Sequence, residues 1–166
     1  MREILIVDAQ KCTGCRMCEI YCSFSKTKTC NPARSRVSVV KWEEQGINVP
    51  SMCQHCEDPP CVPVCPTGAI SKDSETDAVL TNEDLCIGCK MCLIACPFGA
   101  PSIDPVESKV IRCDLCEGDP VCAKVCPTGA IKWINADRAG LMRKREGMEK
   151  LTSLTKLALV TATGGD

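Results

Sequence analysis

The chain has 166 residues, with 20 Lys+Arg against 21 Asp+Glu, one His, 17 Cys and only 3% aromatic residues. A formal net charge of −1 leaves no basic footprint for nucleic acid, one His cannot serve His-dependent triads, and no apolar run is long enough to span a bilayer. The length suits one compact domain or two small fused modules, and the charged opening lacks a secretory signal, so a reducing cytoplasm is the expected compartment, where dense cysteine signals metal.

In chain order, residues 2–7 are apolar and β-branched and predict a strand. The first cysteine group follows: Cys12, Cys15, Cys18 and Cys22, spaced C-x2-C-x2-C-x3-C. Ser23, not proline, comes after Cys22, so a helix is allowed to run on. Cys30 stands alone in a loop-like stretch and reads as a free thiol. Residues 36–42 alternate as a strand, and Gln45-Gly46 predicts a turn into Ile47-Asn48-Val49. This hairpin-like insertion lengthens the first half of the chain.

The second group, Cys53, Cys56, Cys61 and Cys65, has the looser spacing C-x2-C-x4-C-x3-C. His55 lies inside it, and packing beside the ligands or at the surface is expected, because cysteines already flank it. Ile70 opens a short strand, and Ala78-Val79-Leu80 reads as another. The third group, Cys86, Cys89, Cys92 and Cys96, repeats the spacing of the first at an offset of 74 residues. The fourth, Cys113, Cys116, Cys122 and Cys126, is spaced C-x2-C-x5-C-x3-C. Arg112 precedes it, either raising the potential of the adjoining site by its charge or simply solvated.

Groups two and four end in one hexapeptide, Cys65-Pro66-Thr67-Gly68-Ala69-Ile70 and Cys126-Pro127-Thr128-Gly129-Ala130-Ile131. Residues 130–134 predict a strand. Beyond them Leu141, Met142, Met148, Leu151, Leu154, Leu157 and Val160 recur at helical spacing. That stripe would pack on its own domain, a partner subunit or a second copy; it lacks the aromatic anchors of a membrane-surface helix. Residues 161–166 are expected to fray.

The order tight, loose, tight, loose is an internal duplication of a two-group unit. Three cysteines in seven residues can point at three corners of one iron–sulfur cube. The next, about one helical turn of ~5 Å further on, reaches a different cube, so such groups come in pairs. Proline then stops the turn, glycine reverses the chain, and Ala69 and Ala130 leave room. Structural zinc uses two C-x2-C pairs per ion and gives no role to the third and fourth cysteines. Spacing leaves open which groups exchange their fourth cysteine. Five aromatics cannot build a conventional core, so metal must supply much of the folding free energy. No dinucleotide fingerprint, P-loop or activated nucleophile is present, and no catalytic residue is assigned.

On these groups, with Met52-Cys53-Gln54-His55-Cys56-Glu57-Asp58-Pro59-Pro60-Cys61 and Arg112-Cys113-Asp114-Leu115-Cys116, residues 1 to about 135 resemble the four-cluster ferredoxin-type electron-transfer subunits of molybdenum and tungsten oxidoreductases and some hydrogenases. The stretch Ala33-Arg34-Ser35-Arg36-Val37-Ser38-Val39-Val40-Lys41-Trp42 is most similar to iron–sulfur subunits of tungsten aldehyde oxidoreductases, whose relatives include aromatic-acyl-CoA reductases. The resemblance implies an α+β, duplicated bacterial-ferredoxin-like fold, with units at about 1–75 and 76–135 and a C-terminal helical extension over 136–166.

It also implies four 4Fe-4S clusters, with iron held by sixteen cysteines in crossed sets. Cys12, Cys15 and Cys18 would join Cys126, while Cys113, Cys116 and Cys122 would join Cys22. Cys53, Cys56 and Cys61 would join Cys96, and Cys86, Cys89 and Cys92 would join Cys65. The implied role is a non-catalytic relay between a large tungsten- or molybdenum-containing catalytic subunit and a second redox subunit or ferredoxin. Four oxidised clusters would carry the net charge from −1 to about −9 and favour basic partners. The competing readings are a subunit of a formate dehydrogenase, hydrogenase or aromatic-acyl-CoA reductase complex, a free polyferredoxin, an enzyme with an open iron, and a zinc scaffold.

Overall fold

The computed structural model describes residues 3–142, 144, 145, 147, 148 and 152. The chain divides into two compact units, one spanning Leu5–Trp133 and the other holding the described residues on either side of it.

Among the described residues, four two-stranded sheets and three short helices lie ahead of residue 136. Strand β1 (Glu3–Val7) pairs with β8 (Ile131–Asn135), and the amide of Asp8 continues the ladder onto the carbonyl of Ala130 at 2.8 Å. Strands β2 (Val37–Trp42) and β3 (Ile47–Met52) form the predicted hairpin, antiparallel from Val37 opposite Met52 to Trp42 opposite Ile47. A 3-10 turn, Glu43–Gln45, closes it, and Gly46 takes φ 66°, a left-handed conformation that glycine adopts at little cost. The alternation of β2 is real: Val37 and Val39 are buried, while Ser38 and Val40 face outward.

Strand β4 (Ile70–Lys72) pairs antiparallel with β5 (Val79–Thr81), and β6 (Ser102–Ile103) with β7 (Val110–Ile111). Strands β6 and β7 went unpredicted because two residues are too few to show a period. Asp73 and Asp104 close these two hairpins alike, each accepting two backbone amides through Oδ1. Only Asp104 is buried, and its Oδ2 accepts from Arg34 Nε at 2.7 Å.

Helix α1 (Met17–Thr27) has eleven residues and α2 (Met91–Ala95) has five, although both follow the same cysteine spacing. Proline after Cys96 ends α2; Ser23 after Cys22 lets α1 continue, with Ser23 Oγ donating to the carbonyl of Ile20 at 2.9 Å. Glu19, buried in the first turn of α1, accepts the amide of Val39 at 2.6 Å and so ties the hairpin to the helix. Helix α3 is a single turn, Val121–Lys124.

Among the described residues, six of the nineteen buried hydrophobic positions are cysteines. The core is therefore three small nuclei arranged around thiols. Val37, Val39, Met52 and Ile131 pack with Cys18, Cys22 and Cys122; Ile70, Val79 and Val110 pack with Cys61 and Cys92; Ala78 and Leu115 pack with Cys113.

In the other unit, residues 136–142 are helical, as are 144, 145, 147, 148 and 152, with Leu141 and Met148 exposed. Leu151, Leu154, Leu157, Val160 and the expected fraying of 161–166 lie outside the described residues. No helix among the described residues is long and apolar enough to cross a membrane.

Candidate metal centres

Each cysteine group opens with the same backbone device. The residue just before the second cysteine is left-handed in all four: Gly14 at φ 68°, His55 at 46°, Gly88 at 68° and Leu115 at 58°. A left-handed residue at this point turns the backbone sharply, the kind of turn whose N–H groups can form a nest for an anionic group. Glycine suits that conformation in groups one and three. At Gly14 a Cβ would also have to displace the side-chain amide of Asn48, whose Cγ lies 2.8 Å away. In group four the residues Leu115, Cys116, Glu117 and Gly118 are all left-handed, a costly run that no glycine signal marks over its first three members.

The fourth cysteines share a second device, with one exception. After Cys65, Cys96 and Cys126 the chain reverses so that the amide of Gly68, Gly99 or Gly129 donates to the cysteine carbonyl, at 3.2 Å in each case. Cys22 has no such turn; α1 carries it.

Three cavities then gather cysteines from distant groups. Cys12, Cys15 and Cys18 line one together with Cys126, walled by Val39, Ala130 and Ile131. Cys113, Cys116 and Cys122 line another with Cys22, beside Val37 and Met52. Cys86, Cys89 and Cys92 line a third with Cys65, against Ala69, Ile70 and Val110. Their empty volumes, counted out to open solvent, are nearly equal at ≈ 300, ≈ 330 and ≈ 320 Å³. Cys53, Cys56 and Cys61 stand near enough for their charges to act on one another. All seventeen cysteines are free of disulfides, and Cys30 is exposed, outside every quartet.

Residues 45–136, more than half of the chain, match the model of the 4Fe-4S dicluster domain. The chain belongs to that family. A second match, to a 4Fe-4S binding domain over residues 9–25, takes in the first group, so the two matches together span all sixteen grouped cysteines. Among curated proteins, this dicluster chain is 43% identical over 110 residues to the aliphatic sulfonate oxidoreductase, polyferredoxin-like subunit of Pyrococcus furiosus, covering 66% of this chain and 63% of that one. It is 40% identical over 121 residues to the electron transport protein HydN of Escherichia coli, covering 68% and 65%. The chain thus spans less than two thirds of the length of either relative. Among solved structures it is similar to a chain of the active site complex BamBC of benzoyl coenzyme A reductase as isolated, at 27% identity and TM-score 0.48, covering 97% and 95%.

The donor chemistry of the dicluster chain fits a 4Fe-4S group: four thiols line each of the three cavities, and backbone amides bond to Cys22, Cys65 and Cys126. Among the described residues no three His, Cys, Asp or Glu side chains close on a point as a lone ion would require. Sulfur also receives hydrogen bonds. The amide of Arg36 donates to Cys22 Sγ at 3.4 Å, and Cys65 and Cys126 each contact a threonine hydroxyl two residues on, at 3.7 Å. Burial works against ionisation of Cys65 and Cys126, yet that hydroxyl and the amides around Ala69–Ile70 and Ala130–Ile131 together hold both thiols below their ordinary pKa. Burial pushes Cys18 and Cys122 up to about 12, and raises Cys53, Cys92 and Cys113 as well. Such thiols stay protonated until metal displaces the proton.

For two residues the structure chooses between the readings that the sequence left open. Arg112 is not solvated: it is 4% exposed, and its Nη1 donates to Cys61 Sγ at 3.2 Å, so it serves the second group rather than the fourth it precedes. His55 is not at the surface either. It is buried, Nδ1 accepts the amide of Val79 at 3.0 Å, and burial together with the charge of Arg112 lowers its pKa to about 4. Sequence reasoning also missed the cations beside Cys113. Lys26 and Arg36 converge on Asp114 Oδ2 at 2.7 and 3.4 Å, and although burial opposes it, they hold that carboxyl below its usual range.

Proposed function

We propose that this chain is a non-catalytic electron-transfer subunit. It carries four 4Fe-4S clusters between a large tungsten- or molybdenum-containing catalytic subunit of the aldehyde oxidoreductase type and a second redox subunit or ferredoxin. The observation that carries the reading is the crossed composition of three cavities, each drawing three cysteines from one group and the fourth from another. The proposed ligand sets are Cys12, Cys15, Cys18 and Cys126; Cys22, Cys113, Cys116 and Cys122; Cys65, Cys86, Cys89 and Cys92; and, by the same rule, Cys53, Cys56, Cys61 and Cys96. When bound, such clusters supply one-electron chemistry.

The chain's own residues do the rest. Thiolates would occupy all four corners of each centre, leaving no position for substrate. Val37, Val39, Met52, Ile70 and Ile131 exclude water, and the left-handed nests aim N–H groups at the anionic contents. The offset of 74 residues and the repeated turns support a duplicated ferredoxin-like body of units about 1–75 and 76–135. The extension, 136–166, is then left for partner or self contact. Relatives named as a polyferredoxin-like subunit of an oxidoreductase and as an electron transport protein support the class of partner.

Anaerobic purification from the native host tests this. Iron and acid-labile sulfide near 16 each per chain, with a large tungsten- or molybdenum-containing chain retained, is the expected result. A chain that purifies alone with full iron is a free polyferredoxin, and zinc in place of iron refutes the electron-transfer reading.

A further inference from the structure

We infer that Arg112 sets the reduction potential of two adjoining centres at once, those that include Cys61 and Cys92, by placing one buried positive charge against the thiolates of both. The inference rests on the proposed function. Arg112 is 4% exposed. Its Nη1 donates to Cys61 Sγ at 3.2 Å, and the guanidinium also lies within side-chain hydrogen-bonding reach of Cys92. Cys61 and Cys92 pack in one nucleus with Ile70, Val79 and Val110, so the two proposed centres approach each other here.

A buried guanidinium needs a counter-charge and partners for its donors. Among the described residues no carboxylate bridges to Arg112, and its Nε and Nη2 are buried without a partner. Leaving two such donors unmet is costly, and breaking off a buried cation from its anions more so. Thiolates and the anionic contents of the two centres are the groups within reach. In a water-poor interior a fixed positive charge stabilises the more negative of two oxidation states, so electrons are favoured at these two centres relative to the same sites without it.

The experiment is a redox titration of the whole anaerobic complex followed by electron paramagnetic resonance, with iron and sulfide measured on each sample. Arg112→Gln removes the charge and keeps a donor. Arg112→Lys keeps the charge and loses the planar fork. With iron content unchanged, Arg112→Gln is expected to lower two midpoints by tenfold or more in the reduction equilibrium, 59 mV for one electron. Arg112→Lys should lower the same two by less, and it carries the test if the Gln protein fails to take up iron. The signals that move must be those altered by Cys61→Ser and Cys92→Ser. Full iron with no midpoint moved, or movement only of the other two signals, overturns the inference and leaves the electron-transfer reading standing. A wild-type chain without iron defeats both.

Discussion

Replacing Cys22 separates crossed pairing from every local alternative. Cys22 is 8% exposed, sits on α1 four residues after Cys18, and lines a cavity with Cys113, Cys116 and Cys122 rather than with its own group. Cys22→Ala deletes one buried sulfur, a direct loss of about 1 to 2 kcal/mol in apolar contact and cavity. Losing a bound metal group is larger by several-fold, because structural metal supplies on the order of 10 kcal/mol to folding. The metal term therefore dominates, and iron should fall from roughly 16 to roughly 12 per chain. Native alkylation with an iodoacetamide reagent, read by peptide mass spectrometry, reports which thiols are released. Cys113, Cys116 and Cys122 should become labelled while Cys12, Cys15 and Cys18 stay protected. Labelling of Cys12, Cys15 and Cys18 instead would refute the crossed sets, and release of the second group's thiols would mean that neighbouring groups pair.

Stripping iron with a chelator should abolish cooperative thermal unfolding in circular dichroism, since among the described residues six of the nineteen buried hydrophobic positions are the ligand-type cysteines themselves. His55→Phe leaves the buried amide of Val79 unpaired and should cost about 1 to 3 kcal/mol in denaturant unfolding of the loaded chain; His55→Asn, which keeps an acceptor and tolerates φ 46°, should cost less. Asp104→Ala should lower the melting temperature more than Asp73→Ala. The two close equivalent hairpins, but only Asp104 also holds Arg34 across 70 residues.

The residues most readable in advance were those whose chemistry is local. Spacing alone grouped sixteen cysteines, left Cys30 out, and marked proline after Cys96 as the stop that Ser23 withholds from α1. Gly46, Gly68 and Gly129 were readable because a left-handed turn favours glycine. Leu115 and Glu117 were not, because there the surrounding loop imposes the same conformation on residues that resist it. Strands β6 and β7 hid for want of length, and only the family resemblance, not spacing, suggested which groups exchange cysteines.

Sequence by itself determined the proposed ligand inventory, because iron–sulfur chemistry needs sulfur at short, fixed intervals and those intervals are written in the chain. Tertiary structure alone decided where charge falls. Arg112 sits next to Cys113 along the backbone yet spends its guanidinium on Cys61, and Lys26 and Arg36 reach Asp114 from 88 and 78 residues away. Electrostatic energy depends on distance through space and on burial, and neither is legible from order along the chain.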